Sequence, residues 1–429
     1  MPGGLIQLIA IGEQDTYLTK QPEITFFKTV YRRHTNFAIE TYEEIFNNGT
    51  GFDKKITCNI QRYGDLLSNI CLQVELPSLN DTSISEKYFS WVNAIGHALI
   101  DYVDIEIGGS VIDKQYGEWL EIWSEFTQTA EKRLGYNEMI GKKESFNCQN
   151  TGPMTLFIPL NFWFCKNIGL ALPLISLQYH SVKINIKFNP FEKCWVSKNS
   201  TPKDLKPVDI NQIKTSLLID YVFLDLKERK KFAQQSHMYL IEQVQFNGDT
   251  EYSKNNTIVN IPLNFNHPMK ELFWIVQRHD VINTRFSSED SEDPYSWQNG
   301  NDTFNFSNFR SRKASVTETF DKMTLLFNGQ QRFKDFTAKY FRLLQAYQYH
   351  TRIPSDYIYC YSFALKPEEH QPTGTCNFSR LDNVTLRMIK NKPDEVNRNY
   401  MSDYSVRIYG INYNVLFITG GMAGIAFSN

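Results

Sequence analysis

Val103, Ile105 and Ile107 alternate with Asp104 and Glu106 and run into Gly108-Gly109. Apolar residues then recur at helical spacing, at Tyr116, Leu120 and Trp123, with Trp119, Phe126 and Ala130 widening the stripe. At a constant offset of 220 the pattern returns: Met323, Leu325 and Phe327 lead into Asn328-Gly329, and Phe336, Tyr340 and Leu343 continue the helical phase beside Phe333 and Tyr347. A period of two, a tight turn and a period near 3.6 predict strand, turn and amphipathic helix. A second echo follows in each half, where Val182, Ile184 and Ile186 alternate with Lys183, Asn185 and Lys187, and Val384, Leu386 and Met388 alternate with Thr385 and Arg387. Gly109 and Gly329 are nearly the only shared letters, so the pattern repeats and the identities do not. Two related β-rich domains in tandem give one subunit two similar faces, which suits a building block better than a catalyst.

Further alternating runs cover Ile56 to Ile60 and Ile70 to Leu76, where Pro77 closes the strand. Residues 1 to 24 read as an arm, 25–210 as the first domain and 211–429 as the second, with a linker from Ser197 to Asn211. The second domain is predicted to open with LLIDYVFLDL, Leu217 to Leu226, a run too short and too charged to span a membrane. From Ser287 to Ser315 the chain is rich in Ser, Asp, Asn and Gly with isolated Tyr295, Trp297, Phe304, Phe306 and Phe309. This segment is predicted to be a surface loop, on the outside of the molecule.

The chain of 429 residues is long enough for two cores, and its 31 Phe and 23 Tyr suit pleated, half-buried surfaces. An all-β fold is expected. Lys plus Arg (45) nearly cancels Asp plus Glu (47), so no whole-chain field would hold a polyanion and no direct nucleic-acid partner is expected. Seven scattered cysteines without a CxxC pair argue against a disulfide framework or zinc ribbon and for a reducing compartment. The start of the chain has no basic region typical of a secretory signal, so its eight Asn-x-Ser/Thr triplets, from Asn48 to Asn383, are expected to be mostly chance.

The eight histidines, among them His34, His97, His180 and His350, form no HxH, HExxH or i, i+4 pair. His180, at the start of a predicted strand, is expected to make a structural hydrogen bond. Glu118, Glu121 and Glu125 share one face of the first predicted helix, as a glycosidase pair would require, but are expected to be its solvated side. No G-x-S-x-G, G-x-x-x-x-G-K-[ST] or G-x-G-x-x-G motif occurs. Lys28, Arg32 and Arg33 interleave with Phe26, Phe27 and Tyr31, a cluster better suited to positioning the arm than to holding nucleic acid. Glu228 to Lys231, ERKK, is expected to be a solvated turn. No residue is assigned a catalytic, cofactor-binding or metal-ligating role, and no cofactor is expected.

Three blocks carry a resemblance: PLNFWFCKNIGLALPLISLQYHSVKINIKF at 159–188, YCYSFALKPEEHQPTGTCNFSRLDNVTLRM at 359–388, and NYNVLFITGGMAGIAFSN at 412–429. Together with GGLIQLIAIGEQDTYLT and PEITFFKTVYRRHTNFA near the start, they resemble the major capsid protein of large icosahedral DNA viruses over the whole chain. The resemblance implies an all-β double jelly roll, two tandem eight-stranded jelly rolls with short helices in inserted loops. It also implies homotrimeric capsomers that tile an icosahedral shell around an internal membrane, with assembly in the host-cell cytoplasm. The arm is then expected to reach minor capsid proteins and the membrane, while copies of the chain are the main partner. Gly420, Gly421 and Gly424 suit close backbone approach in the final block.

Two rival readings come from other classes. A glycan-binding attachment protein on the same scaffold would use Tyr295 and Trp297 as stacking platforms for host-surface glycans. A glycosidase would need Glu118 and Glu121 converging in a cleft.

Overall fold

The structure is a computed structural model that describes residues 2–79, 88–143, 153–198, 213–253, 255–281, 284–285, 299–300, 302–307, 318–390 and 403–427. It divides into two compact units, residues 1–37 and residues 38–429. In the first, helices at Gly3–Ile9 and Glu13–Thr19 bury none of their own residues. Asp15 closes the start of the second helix by accepting the Gly12 N–H at 2.9 Å.

Sixteen strands build the body of the larger unit. The first eight are β1 (Phe37–Ile45), β2 (Lys55–Asn59), β3 (Leu66–Leu76), β4 (Ile100–Ile107), β5 (Ser110–Tyr116), β6 (Met154–Pro159), β7 (Val182–Phe188) and β8 (Lys214–Leu224). The second eight are β9 (His237–Tyr252), β10 (Ile258–Pro262), β11 (Pro268–Arg278), β12 (Lys322–Phe327), β13 (Gln330–Thr337), β14 (Ile358–Ser362), β15 (Val384–Ile389) and β16 (Tyr404–Thr419). The first set forms four-stranded sheets in the order β1-β8-β3-β6 and β2-β7-β4-β5. The second repeats both, as β9-β16-β11-β14 and β10-β15-β12-β13, each strand eight places on from its counterpart. Each pair of sheets is a jelly roll, so the expected double jelly roll is the fold, with helices such as Gly117–Thr127 and Ala130–Ile140 in its loops.

The repeat seen in the sequence is a repeated hairpin. Ile107 pairs with Ser110 across Gly108-Gly109, and Phe327 pairs with Gln330 across Asn328-Gly329. All four turn residues have positive φ, the demand of a two-residue turn whose twist matches that of its strands. The chain then returns as β5 or β13 before turning helical, so the expected strand, turn and helix lacked one strand in each half. Tyr116 and Phe336, counted as helical, lie at the ends of those return strands, paired with Tyr102 and Met323, and the helical turns start only after them. In the second half the helical stretch includes a π-turn at Tyr340–Leu344 before Gln345–Tyr349.

Two expectations about the linking segments are corrected. The run Leu217 to Leu226 was expected to open the second half, yet Leu217 pairs with Leu72 and Ile219 with Ile70, and the observed strand, Lys214–Leu224, is an inner strand of the first sheet. The segment containing ERKK is a helix, Leu226–Gln234, because Asp225 caps it by accepting the Glu228 N–H at 2.8 Å and Phe232 packs toward Leu66, Ala171 and Val222.

β11 reads as a continuous apolar stretch broken by Lys270 and Glu271 because both its faces are covered. Leu272, Trp274 and Val276 enter the core between the two sheets of the second half. Phe273 and Ile275 enter a second core shared with the first half, joined there by Ile358, Cys360, Tyr409, Ile411, Leu416 and Ile418. By contrast β3 keeps Asn69 and Glu75 exposed on its outer face. The corresponding sheets are therefore alike in order and unlike in burial.

A fifth sheet crosses the halves. Residues 195–198 pair with 88–91 on one side and with 299–300 on the other, and 299–300 pair in turn with 284–285. The loop expected on the outside over 287–315 is thus tied inward where it is described, with Phe304 and Phe306 buried in the shared core. Tyr295, Trp297 and Phe309 lie outside the described residues.

One glycine fixes how closely the start of the helix Gly117–Thr127 approaches the backbone at the start of β4. A Cβ on Gly117 would stand 2.2 Å from the carbonyl oxygens of both His97 and Ile100, backbone atoms that cannot swing aside. Gly117→Ala is expected to destabilise the subunit by about 1–3 kcal/mol, read as a lower urea midpoint.

Candidate functional site

The helix Gly117–Thr127 lies between the two jelly rolls and is buried along nearly its whole length. Its apolar side meets the second half directly: the Trp119 and Phe126 rings stand edge-on to Phe273, with centroids 5.3 and 5.2 Å away. Its carboxylates, expected to be solvated, are inside. Glu121 is fully buried and Glu125 nearly so. They escape the cost of unpaired burial because the fold surrounds them with cations and donors.

Glu121 accepts from His97 Nδ1 at 2.6 Å and pairs with Lys142 through its other oxygen. Tyr136 Oη stands 3.1 Å from His97 Nε2 and closes the far side. Glu125 binds Lys142 at 2.7 Å and accepts from Arg352 at 2.9 Å, from the Ser355 N–H at 3.0 Å and from Ser355 Oγ at 2.7 Å. Arg352 and Ser355 belong to the second half, so this network joins the two jelly rolls. Glu118 completes the set, with Arg407 at 2.7 Å and the Tyr409 hydroxyl at 2.6 Å. A second seam contact pairs Lys166 with Glu242 at 2.9 Å, while Lys270 meets the other oxygen of the same carboxylate.

The electrostatics argue against acid catalysis here. Burial alone would raise the Glu121 carboxyl, but the Lys142 charge and the His97 hydrogen bond outweigh it and hold it at about 2. A glycosidase acid needs the opposite displacement. Glu121, Glu125 and Asp356 lie close enough together to hold a cation. The Lys142 ammonium already meets all three, 3.7 Å from Asp356.

Near the seam, His350 stands 3.0 Å from Glu368 and 3.1 Å from Glu271. Among the described residues neither oxygen of Glu271 has a hydrogen-bond donor, and its negative charge beside the ring favours the protonated imidazole. The expected structural hydrogen bond of His180 is present: its Nδ1 accepts from the Ala423 N–H at 3.1 Å.

The outside offers contact surface. β1 is an edge strand with Phe37, Ile39 and Ile45 exposed. Leu343, Leu344 and Tyr347 are exposed on the helical stretch after β13, and Phe336 stacks on Tyr340 at 4.3 Å beside them. In residues 2–37, Leu8, Ile9, Leu18, Phe26 and Phe27 are all exposed. Open edges and exposed apolar side chains are surfaces on which another chain can pair or pack. The two turns and the strands leading into them were legible in the sequence, but this seam was not, because Glu118 and Glu125 meet Arg407 and Arg352 from segments more than two hundred positions away.

Comparison with known proteins agrees with this architecture. Residues 25–225 match the family described as major capsid protein N-terminus, and residues 228–424 match large eukaryotic DNA virus major capsid protein. The major capsid protein of Pyramimonas orientalis virus is 41% identical, with all of both chains covered. A chain of the PBCV-1 virus capsid superposes with a TM-score of 0.74 at 32% identity, covering 94% of this chain and 100% of that one. The Faustovirus major capsid protein shares the fold at 12% identity, with a TM-score of 0.72 and coverage of 95% and 94%. With one capsid family matching each jelly roll and a capsid relative aligned from end to end, the chain belongs to the major capsid proteins of large eukaryotic DNA viruses.

Proposed function

We propose that this capsid protein works as a homotrimer whose six jelly rolls give a threefold capsomer a near-hexagonal outline, so that capsomers tile an icosahedral shell. The observation that carries this reading is the identical strand order of the two halves. Two like domains per subunit let three subunits contact six neighbours through similar surfaces, a closed arrangement that leaves few open edges. The exposed apolar residues of the arm support contacts with minor capsid proteins and an internal membrane, and assembly is assigned to the host-cell cytoplasm. The role is structural and not enzymatic, a reading supported by the full pairing of Glu118, Glu121 and Glu125.

Size-exclusion chromatography with light scattering on the purified chain is expected to give three times the subunit mass. A strict monomer at micromolar concentration would overturn the capsomer.

A further inference from the structure

The strands of a jelly roll alternate in direction, so alternate loops gather at opposite ends. At the end away from the fifth sheet, the segments 62–65, 174–181, 226–238 and 417–425 meet. Arg62 donates to the Gln178 carbonyl at 3.2 Å, Ser176 Oγ to the Phe232 carbonyl at 2.8 Å, and the Tyr179 N–H to the Gly421 carbonyl at 3.0 Å. Ser236 and Thr419 hydroxyls stand 3.0 Å apart. These contacts make one continuous surface.

Its charge is segregated. On the helix Leu226–Gln234, Phe232 turns inward and Arg229 is held by Asp65 at 2.9 Å. Lys227, Lys230 and Lys231, spaced i, i+3 and i+4, share the opposite face. All three are exposed, and none has an ion-pair partner among the described residues. Beside them, large apolar side chains stay open: Leu226 at 69%, Tyr179 at 76%, and the cross-strand partners Met238 and Phe417 at 69% and 43%. In a chain with a formal net charge of −2, such a local union of free ammonium groups and apolar side chains is not a by-product of composition.

We infer that this end of the subunit is a docking surface for an anionic lipid bilayer, with the three lysines on headgroup phosphates and the apolar side chains at the headgroup boundary. The inference rests on the reading of the chain as a shell subunit and adds a second membrane contact to that of the arm. Charge complementarity alone would serve any polyanion. The exposed apolar residues favour a bilayer, which has an apolar layer beneath its charge, over nucleic acid, which presents its phosphates to water.

Full-length protein is tested by co-sedimentation with phosphatidylcholine vesicles with and without phosphatidylserine, and by binding to duplex DNA. Wild type is expected to pellet only with phosphatidylserine present, and less at high salt. The triple variant Lys227→Gln, Lys230→Gln, Lys231→Gln is expected to bind roughly a hundredfold more weakly, and Met238→Ser with Phe417→Ser roughly tenfold. Wild-type protein that does not pellet, or a triple variant that pellets like wild type, overturns the inference. So does duplex binding with the same lysine dependence and no dependence on Met238 and Phe417, which would assign the surface to nucleic acid. Light scattering on the same samples separates the two readings: a trimer that ignores vesicles sinks this inference alone, while a monomer sinks the capsomer.

Discussion

Lys142→Met is expected to lower the stability of the folded subunit by about 3–5 kcal/mol, because it leaves Glu121 and Glu125 charged inside the seam without the cation they share. Arg352 still reaches Glu125, and His97 still reaches Glu121, so the larger loss falls on Glu121, which is fully buried. Methionine keeps most of the lysine stem's volume, which limits the packing change. Adding Glu121→Gln to Lys142→Met is expected to restore much of the loss, since removing both charges costs far less than stranding one. The pH dependence has a definite sign. The Glu121 carboxyl, near 2 when folded, lies below its unfolded value of about 4.3, so its contribution is present above that value and lost as pH falls toward the folded one. Without Lys142 the folded carboxyl rises and this acid-side loss shrinks. Urea midpoints at neutral pH and near pH 3, for wild type and both variants, check the prediction. A Lys142→Met midpoint equal to wild type would mean that water screens the seam.

His350→Gln is expected to cost a similar amount at neutral pH and to change the alkaline limb of the stability profile. The imidazole is buried between Glu271 and Glu368 with no exposed side-chain surface. Burial opposes its charge, but the two carboxylates outweigh burial and raise its pKa well above the ordinary range. Cys360 is its other titratable neighbour, and Phe126 and Phe273 cover the ring at centroid distances of 4.6 and 5.7 Å. A histidine raised on folding stabilises fully below its unfolded pKa and loses that contribution as pH climbs through the folded value. Wild type is therefore expected to weaken on the alkaline side, and His350→Gln to lose that component while starting lower. The difference between the two proteins in thermal denaturation across pH isolates it from other groups. Parallel profiles would show that His350 is neutral in the fold.

The failed expectations have a common cause. Glu118, Glu121 and Glu125 look like the wet face of an amphipathic helix because local spacing registers only which residues share a side. It carries no information on Lys142, Arg352, Ser355 and Arg407, whose arrival turns that side into a second buried face. Phe304 and Phe306 look like isolated aromatics in a polar loop for the same reason, since the core they enter belongs largely to other segments. The return strands β5 and β13 were missed where the apolar residues of strand and helix run together without a break, so the helical phase extends backwards into the hairpin.

The sequence by itself determined the alternating strands β2, β3, β4, β7, β12 and β15, the paired two-residue turns and the tandem repeat. Each depends on neighbours a few residues apart: alternation sets which face is buried, and Gly108-Gly109 and Asn328-Gly329 supply the positive φ that the hairpins need. Only the tertiary structure decided which of two equivalent sheets would be open to solvent and which would become a shared wall. β3 and β11 occupy the same place in their jelly rolls, yet the helix Gly117–Thr127 docks against β11, through Phe273, and brings its carboxylates to partners in both halves. Burial and charge pairing across such distances follow from how two finished sandwiches meet, and no period along the chain encodes that.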